Sequence, residues 1–413
     1  MSVLRSLIKD GGPIAFIIRG THGGIGPWYG ILNPSTPAWM TLGASLVLSL
    51  IGVVAIDTAS GDGSGLGFLA FRQVLYVGVG VSAAAVAVVP HHRLIGRLAL
   101  PAMIACVALL VFLLVPFVPD SLVTPRKGAR AWIDLGVADF QPAELTKIAF
   151  VVVVAMYLRY SRAHRRFVGL VIPGLIAAVP AALITLQPDL GTASLFAPSL
   201  FAMLVAAGAR LRHLSIIVIA AAAVLPASYL VMKPHQQARI RGLVEQIQGN
   251  DENADSINYQ SFVAQRLVAA GGVWGTGEDK SRAIVAYNHL PEAHNDMVFA
   301  VITLRWGLIG GVVTVAAVGA WIAGALLTAA VSRDPFGRLV VVGLSGFIAA
   351  QTVINIGMTI GLLPIIGITL PFVSYGGSSM LASWLMTGLV VNVGIRRAEP
   401  PFRDSFEYGG GDD

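Results

Sequence analysis

Long apolar runs separated by short polar links dominate this chain. Crossing a bilayer takes about 20 mostly apolar residues, and about ten runs meet that standard, near 38–57, 70–90, 97–118, 143–160, 167–187, 192–209, 213–232, 306–330, 338–361 and 375–395. Two are sharpened by length. The apolar core from Leu145 to Leu158 is too short alone, so its helix should begin near Pro142 and take in Glu144 and Lys147. The run from Met297 to Val331 is too long for one span, and Arg305 divides it into an interfacial lead-in and a span starting near Trp306. The apolar part of 13–18 is short and a Gly-rich run follows it, so no cleavable signal peptide is expected.

Composition agrees with the periodicity. Of 413 residues, 55% are hydrophobic and only 12% charged, where soluble domains carry about 25% charged residues. Mean hydropathy is +0.75 and the pI about 9.6. The expected class is an all-α polytopic membrane protein. Most basic residues occupy the links at 91–97, 159–166, 210–212, 333–338 and 396–397, which share one side if the spans alternate. Basic links mark the cytoplasmic side, so this distribution argues for membrane orientation and against nucleic acid. The opposite links, 58–66 and 188–191, hold acids and no Lys or Arg. Both termini are then cytoplasmic. The expected organisation is a cytoplasmic segment 1–37, a membrane domain 38–397 and a disordered cytoplasmic tail 398–413. A large extracytoplasmic loop, 233–296, lies between the seventh and eighth helices. No internal repeat is evident, and Cys106, the single cysteine, offers neither disulfide nor thiol metal site.

Three outer segments are candidates for function: 119–142, the loop 233–296, and 361–374. The last is apolar but broken by Pro364, Gly367 and Pro371. Irregular backbone at membrane depth is tolerated where it is buried in protein or lines a cavity, so 361–374 is expected to wall an outward-facing cavity.

Asp296 stands where the polar loop meets the apolar run. A charge in hydrocarbon costs roughly 3 kcal/mol or more, so this carboxylate faces water, a partner or a substrate. Its nearest downstream cation, Arg305, is nine residues on, about 13.5 Å along a helix and too far for a salt bridge. The bland alternative is a solvated or helix-capping acid. His289, Glu292 and His294 have a spacing unlike a zinc signature. Asp189, in a tight outer turn, suits a helix cap. Glu144 and Lys147 should meet on one helix face, either as a mutually neutralising pair or as part of a cluster holding a head group. Arg126, Lys127 and Arg130 are unusual in a short outer loop. Either the acids Asp120, Asp134, Asp139 and Glu144 balance them, or they bind an anion such as pyrophosphate. Ser378 and Ser379 lie among small residues that permit close backbone approach at the start of the last span.

In order along the chain, these segments resemble the SEDS family, the RodA/FtsW/SpoVE type of peptidoglycan glycosyltransferase. The resemblance covers roughly 38–397. It is carried by Gly128 to Ile133 (GARAWI), Gln141 to Lys147 (QPAELTK), Gln187 to Ala193 (QPDLGTA) and Gln236 to Arg239 (QQAR). It continues through Gly271 to Gly277 (GGVWGTG), Leu290 to Asp296 (LPEAHND) and Leu370 to Ser379 (LPFVSYGGSS). The resemblance implies a ten-helix polymerase that joins lipid II disaccharides outside the bacterial cytoplasmic membrane, with the family's essential acid at Asp296. It also implies a class B penicillin-binding protein as transpeptidase partner, undecaprenyl lipids as ligands, and a divalent cation (Mg2+ or Mn2+). Inverting an α-linked donor to a β-1,4 product needs one base and positive charge on the departing pyrophosphate. The paired carboxylates of hydrolytic glycosidases are not required. Asp296 is then the candidate base, or the residue that orients the acceptor or a metal ion. Lys147, Arg130 and Arg239 are candidate pyrophosphate contacts, and Glu144, Asp189, Ser378 and Ser379 complete the expected substrate-binding set. No metal ligands are assigned. The chain departs from the family pattern at Ala131 (usually Arg), Asn295 (Thr), Met297 (Phe), and Leu304 and Arg305, where acids are common. Arg305 is expected to alter the potential near the site. The competing readings are a lipid-linked precursor flippase and a non-catalytic scaffold of the cell-wall machinery. Lys233 to Arg239 looks more like the elongation type, while Leu290 to His294 is equally at home in the division type.

Overall fold

The computed structural model describes residues 36–60, 66–119, 122–123, 129–136, 138–161, 163–229, 234–248 and 259–396. Of the terminal segments expected at 1–37 and 398–413, residues 1–35 and 398–413 therefore lie outside the described residues, as do Asp120, Arg126, Lys127 and Lys233. The first helices are α1 (Ala38–Ser60), α2 (Phe68–Val88) and α3 (His92–Leu114). A two-residue hairpin of β1 (Ile133–Asp134) and β2 (Asp139–Phe140) follows, with Ile133 opposite Phe140. Next come α4 (Pro142–Tyr160), α5 (Val171–Leu186), α6 (Leu190–Ser194), α7 (Phe196–Ala206) and α8 (Leu211–Ser228). The long loop contains α9 (Pro234–Ile247), α10 (Tyr259–Gly271) and α11 (Glu278–Asn288). Then come α12 (Val298–Val331), α13 (Pro335–Thr359) and α14 (Gly377–Ile395).

Among the described residues, seven helices are long and apolar enough to cross a membrane: α1, α2, α3, the Phe167–Leu186 stretch, α12, α13 and α14. This is a multi-pass membrane protein. The remaining expected spans also coincide with helices. α4 begins at Pro142, where the ring needs no N–H partner, and it includes Glu144, Lys147 and Arg159. The 192–209 run is split into α6 and α7 at Leu195, and α8 is a short apolar helix.

The bundle packs chiefly α1 against α12, α2 against α14, and α13 against α7 and α4. Small residues let backbones close up, as they do between membrane helices generally. A Cβ on Gly388 would stand 2.6 Å from the carbonyl oxygen of Ala84. At the centre, Phe150, Phe196 and Phe347 meet edge to face, with centroids 5.1–6.0 Å apart.

The structure corrects the lead-in expected before Trp306. Residues Val298 to Leu304 are helical and buried within the protein, packed beneath α10, where an interfacial lead-in would leave one face uncovered. They are apolar on every side, so tertiary cover is what stabilises them. The break falls at Gly307, whose backbone (φ 65°, ψ −161°) leaves the helix. The loop Gly271 to Gly277 is inserted there. Thr276 N–H donates to the carbonyl of Leu304 (2.9 Å), Gly277 N–H to that of Arg305 (3.2 Å), and Leu308 N–H to that of Gly272 (2.8 Å). The interrupted helical ladder is thus completed from another segment. A Cβ at Gly307 would come within 2.3 Å of the Val273 carbonyl oxygen. Both the dihedral and the contact require glycine.

The second correction concerns 361–374. Its first half is partly open, with Leu362 and Gly367 exposed, but Leu370 to Ser374 are buried and packed into the bundle. Phe372, held at φ 65°, sits between Trp321 and Trp384 with ring centroids 6.0 and 6.1 Å away. A bulky residue there costs about 1–3 kcal/mol, which the surrounding aromatic packing offsets.

Candidate functional site

Asp296 ends a tight loop whose earlier residues His289 (φ 45°) and Glu292 (φ 56°) are left-handed. Its side chain is almost wholly covered, at 5% exposure. Gln260, from α10, donates to Oδ1 at 3.4 Å. On the other side stands exposed Gly367 (φ 73°), where an added Cβ would lie 3.7 Å from Oδ2. The broken segment therefore passes close to the carboxylate at its open bend, with room between them for little more than a methyl group.

The backbone of this loop is fastened by hydrogen bonds of its own. Buried Asn355 on α13 donates through Nδ2 to the main-chain oxygen of Asp296 (2.8 Å) and to that of Ile368 (2.7 Å). Ser374 Oγ donates to the carbonyl of Asn295 (2.6 Å), and Tyr375 N–H to that of His294 (2.9 Å).

A second polar group lies one helical turn along α13. Gln351 accepts from Lys147 Nζ (3.2 Å), which also pairs with Glu144 at 2.9 Å. Lys147 is 1% and Glu144 6% exposed. Gln351 Nε2 in turn donates to the carbonyl of Thr369 (2.9 Å), whose hydroxyl shares a hydrogen bond with Ser379 Oγ (3.0 Å). Nearby, Ser378 Oγ donates to the carbonyl of Asp139 (2.8 Å) and accepts from Gln141 N–H (2.9 Å). Gln141 Nε2 reaches Asp189 Oδ2 at 3.2 Å. Asp189 caps α6 by accepting from Thr192 N–H (2.9 Å). Burial pushes its carboxyl above the ordinary aspartate value, against the stabilising Thr192 N–H.

Five of the residues singled out in the sequence thus converge: Lys147, Glu144, Asp189, Ser378 and Ser379. Asp296 joins them through α13 and the broken segment. Two do not join. Arg130 Nη2 donates to the carbonyl of Val118 (2.8 Å), and Arg239 is exposed on α9. Gln351, Asn355 and Gln260 were overlooked. The first two had a legible signal, as amides one turn apart in an apolar helix, and polar residues at membrane depth mark function by default. Gln260 sits in a polar loop where nothing distinguishes it.

Arg305 has close partners of its own. Its guanidinium pairs with Glu278 (2.6 Å), donates to Thr58 Oγ1 (2.5 Å) and stacks on Trp306 (5.1 Å). Arg282 adjoins it, bridging Glu278 (2.9 Å) and Asp57 (2.5 Å). The positive charge is compensated locally, and Leu304 and Ala131 are simply buried. Among the described residues no three His, Cys, Asp or Glu side chains converge to hold a metal. His294 instead meets the Tyr375 ring edge to face, 5.6 Å between centroids.

Known proteins give this arrangement a lineage. The probable peptidoglycan glycosyltransferase FtsW of Legionella pneumophila is 32% identical over 370 residues, 86% of this chain and 90% of its own length. A chain of a peptidoglycan synthase complex, solved in connection with the coordination of polymerization and crosslinking, superposes with a TM-score of 0.72. It is 28% identical, over 86% of this chain and 96% of that one. The rod shape determining protein RodA of Thermus thermophilus superposes with a TM-score of 0.63 at 26% identity, covering 91% of this chain and all of RodA (100%). The profile of the FtsW/RodA/SpoVE family of cell cycle proteins matches residues 36–399, and the chain belongs to that family.

Proposed function

We propose that this protein is a peptidoglycan glycosyltransferase that joins the disaccharide units of lipid II into β-1,4 glycan strands. The observation that carries the reading is Asp296. It is an acid fixed by its own backbone at the exposed bend of a broken membrane segment, in a chain of this family. In the reaction, the acceptor hydroxyl oxygen bonds to the donor's anomeric carbon, and the bond from that carbon to the pyrophosphate oxygen breaks. The hydroxyl proton passes to the Asp296 carboxylate, and undecaprenyl pyrophosphate leaves. One displacement inverts the centre, so one base suffices.

Lys147 supplies the positive end of the polar group. It is already engaged by Glu144 and Gln351, so a phosphate reaches it only by displacing one of them. Asp189, Ser378 and Ser379 hold the surrounding backbone in shape, and Arg130 and Arg239 drop to peripheral roles. If a divalent cation takes part, Asp296 is the acid of this loop that would help to hold it, and the ion would supply positive charge for the reacting groups.

In this reading, the seven apolar helices together with α4, the α6–α7 pair and α8 give ten crossings. Asp296 faces outward from the cytoplasmic membrane, and a class B penicillin-binding protein supplies the transpeptidase. The test is polymerisation of labelled lipid II by the purified protein with its transpeptidase partner and a divalent cation. Asp296→Asn should still fold and bind the partner while glycan ladders fall by about 10²–10⁴, the usual worth of a general base. Undiminished ladders in that variant would reject the base assignment. Lipid scrambling by the unaltered protein with no ladder would indicate a flippase.

A further inference from the structure

The reading of Asp296 as the base leaves unexplained why a wholly buried asparagine holds its main chain from near the C-terminal end of an apolar helix. Asn355 is 0% exposed, and both its Nδ2 hydrogen bonds go to main-chain oxygens on different segments, those of Asp296 and Ile368. Its Oδ1 is buried without a hydrogen-bond partner among the described residues. A buried amide only half satisfied costs stability that an apolar side chain of similar size would not. Packing therefore does not account for it. The two carbonyls it joins do. One belongs to the acid itself, and the other follows Gly367, the exposed glycine against which the carboxylate lies.

We propose that Asn355 is a positioning residue for catalysis, fixing the distance between the Asp296 carboxylate and the open bend at Gly367 where the acceptor hydroxyl must lie. This rests on the base assignment above. Asn355 does not reach substrate and acts only through the main chain of Asp296. One turn earlier on the same face, Gln351 grips the next residue of the broken segment, Thr369, and Lys147. Acid and cation are thereby referred to one rigid helix.

The test compares Asn355→Leu, which offers no donor to either carbonyl, with the near-isosteric Asn355→Asp, whose carboxyl, buried between two carbonyl oxygens, stays protonated and offers one donor where the amide offers two. Each full-length variant is assayed in its complex with the transpeptidase partner, alongside Asp296→Asn. A misplaced base costs turnover, about 100-fold for an error near 1 Å, while lipid II binding made elsewhere persists. Asn355→Leu should therefore lose kcat by about that factor at unchanged KM, and Asn355→Asp, which keeps one of the two hydrogen bonds, should lose less, also at unchanged KM. Retained turnover, or kcat and KM worsening together with the melting temperature, would overturn the proposal. Failure of both variants to fold would do so too, because it would make Asn355 a structural residue. If Asp296→Asn polymerises at full rate the base assignment itself fails. If only the Asn355 variants do, the positioning role alone fails.

Discussion

Lys147 shows how far a single side chain could be read in advance and where reading stopped. The i, i+3 spacing to Glu144 was enough to foresee their contact, which is present at 2.9 Å. What no spacing could reveal is Gln351, 204 positions away, which accepts from the same ammonium. The pair is buried, so removing one partner strands the other charge at a cost of about 3–5 kcal/mol. Lys147→Met should lower the melting temperature sharply. Adding Glu144→Gln should recover most of that loss, because an uncharged pair needs no compensation. If Lys147 also serves the departing pyrophosphate, the double variant should be stable yet inactive in the ladder assay. Recovery of activity along with stability would confine Lys147 to a structural role.

Elements were legible wherever the apolar period ran unbroken, because membrane depth fixes length and composition together. α1, α2, α13 and α14 fall within a few residues of expectation for that reason. Where backbone leaves regular structure, hydropathy says little. Arg305 pointed to a division in α12, but the actual break at Gly307 depends on a loop some thirty residues earlier. Likewise the prolines of 361–374 announced irregularity without telling which half would be buried. Gly307→Ala tests the interlock directly. The added methyl meets the Val273 carbonyl within 2.3 Å and sits in left-handed backbone, so the variant should unfold at markedly lower temperature. Alanine at exposed Gly319, where nothing lies within 4 Å of a built Cβ, should be neutral or slightly stabilising by comparison.

Across the whole molecule, the family and the membrane-embedded fold were legible in the sequence, since its motifs stand in order along one chain. The way the long loop is attached was not, because its contacts join distant charges. Arg282 ties α11 to α1 through Asp57, and Arg305 ties it to α12 through Glu278. The hydrogen bond from Arg282, with Arg305 beside it, holds the Glu278 carboxyl below its ordinary value of 4.5. A lowered carboxylate contributes stability that is fully present above the unfolded value and is lost as pH falls through the folded one. Protection from hydrogen exchange across Glu278–Asn288, taken relative to the intrinsic rate at each pH, should therefore hold from neutral pH down to 4.5 and fall away only in stronger acid. Glu278→Gln should exchange faster at neutral pH and lack that acid step. An identical profile in the two proteins would show that the ion pairs do not hold the loop.

The glycine-rich plug that fills the gap in α12 has a consequence for biogenesis. Residues 271–277 leave the ribosome before 304–309, so the plug exists before the socket it completes. Until the two meet, amides and carbonyls at the gap lack partners, and each such group in lipid costs several kcal/mol. A version shortened to its hydrophobic helices would not be a minimal form of this protein, because deleting the long loop would unwind the helix beside it.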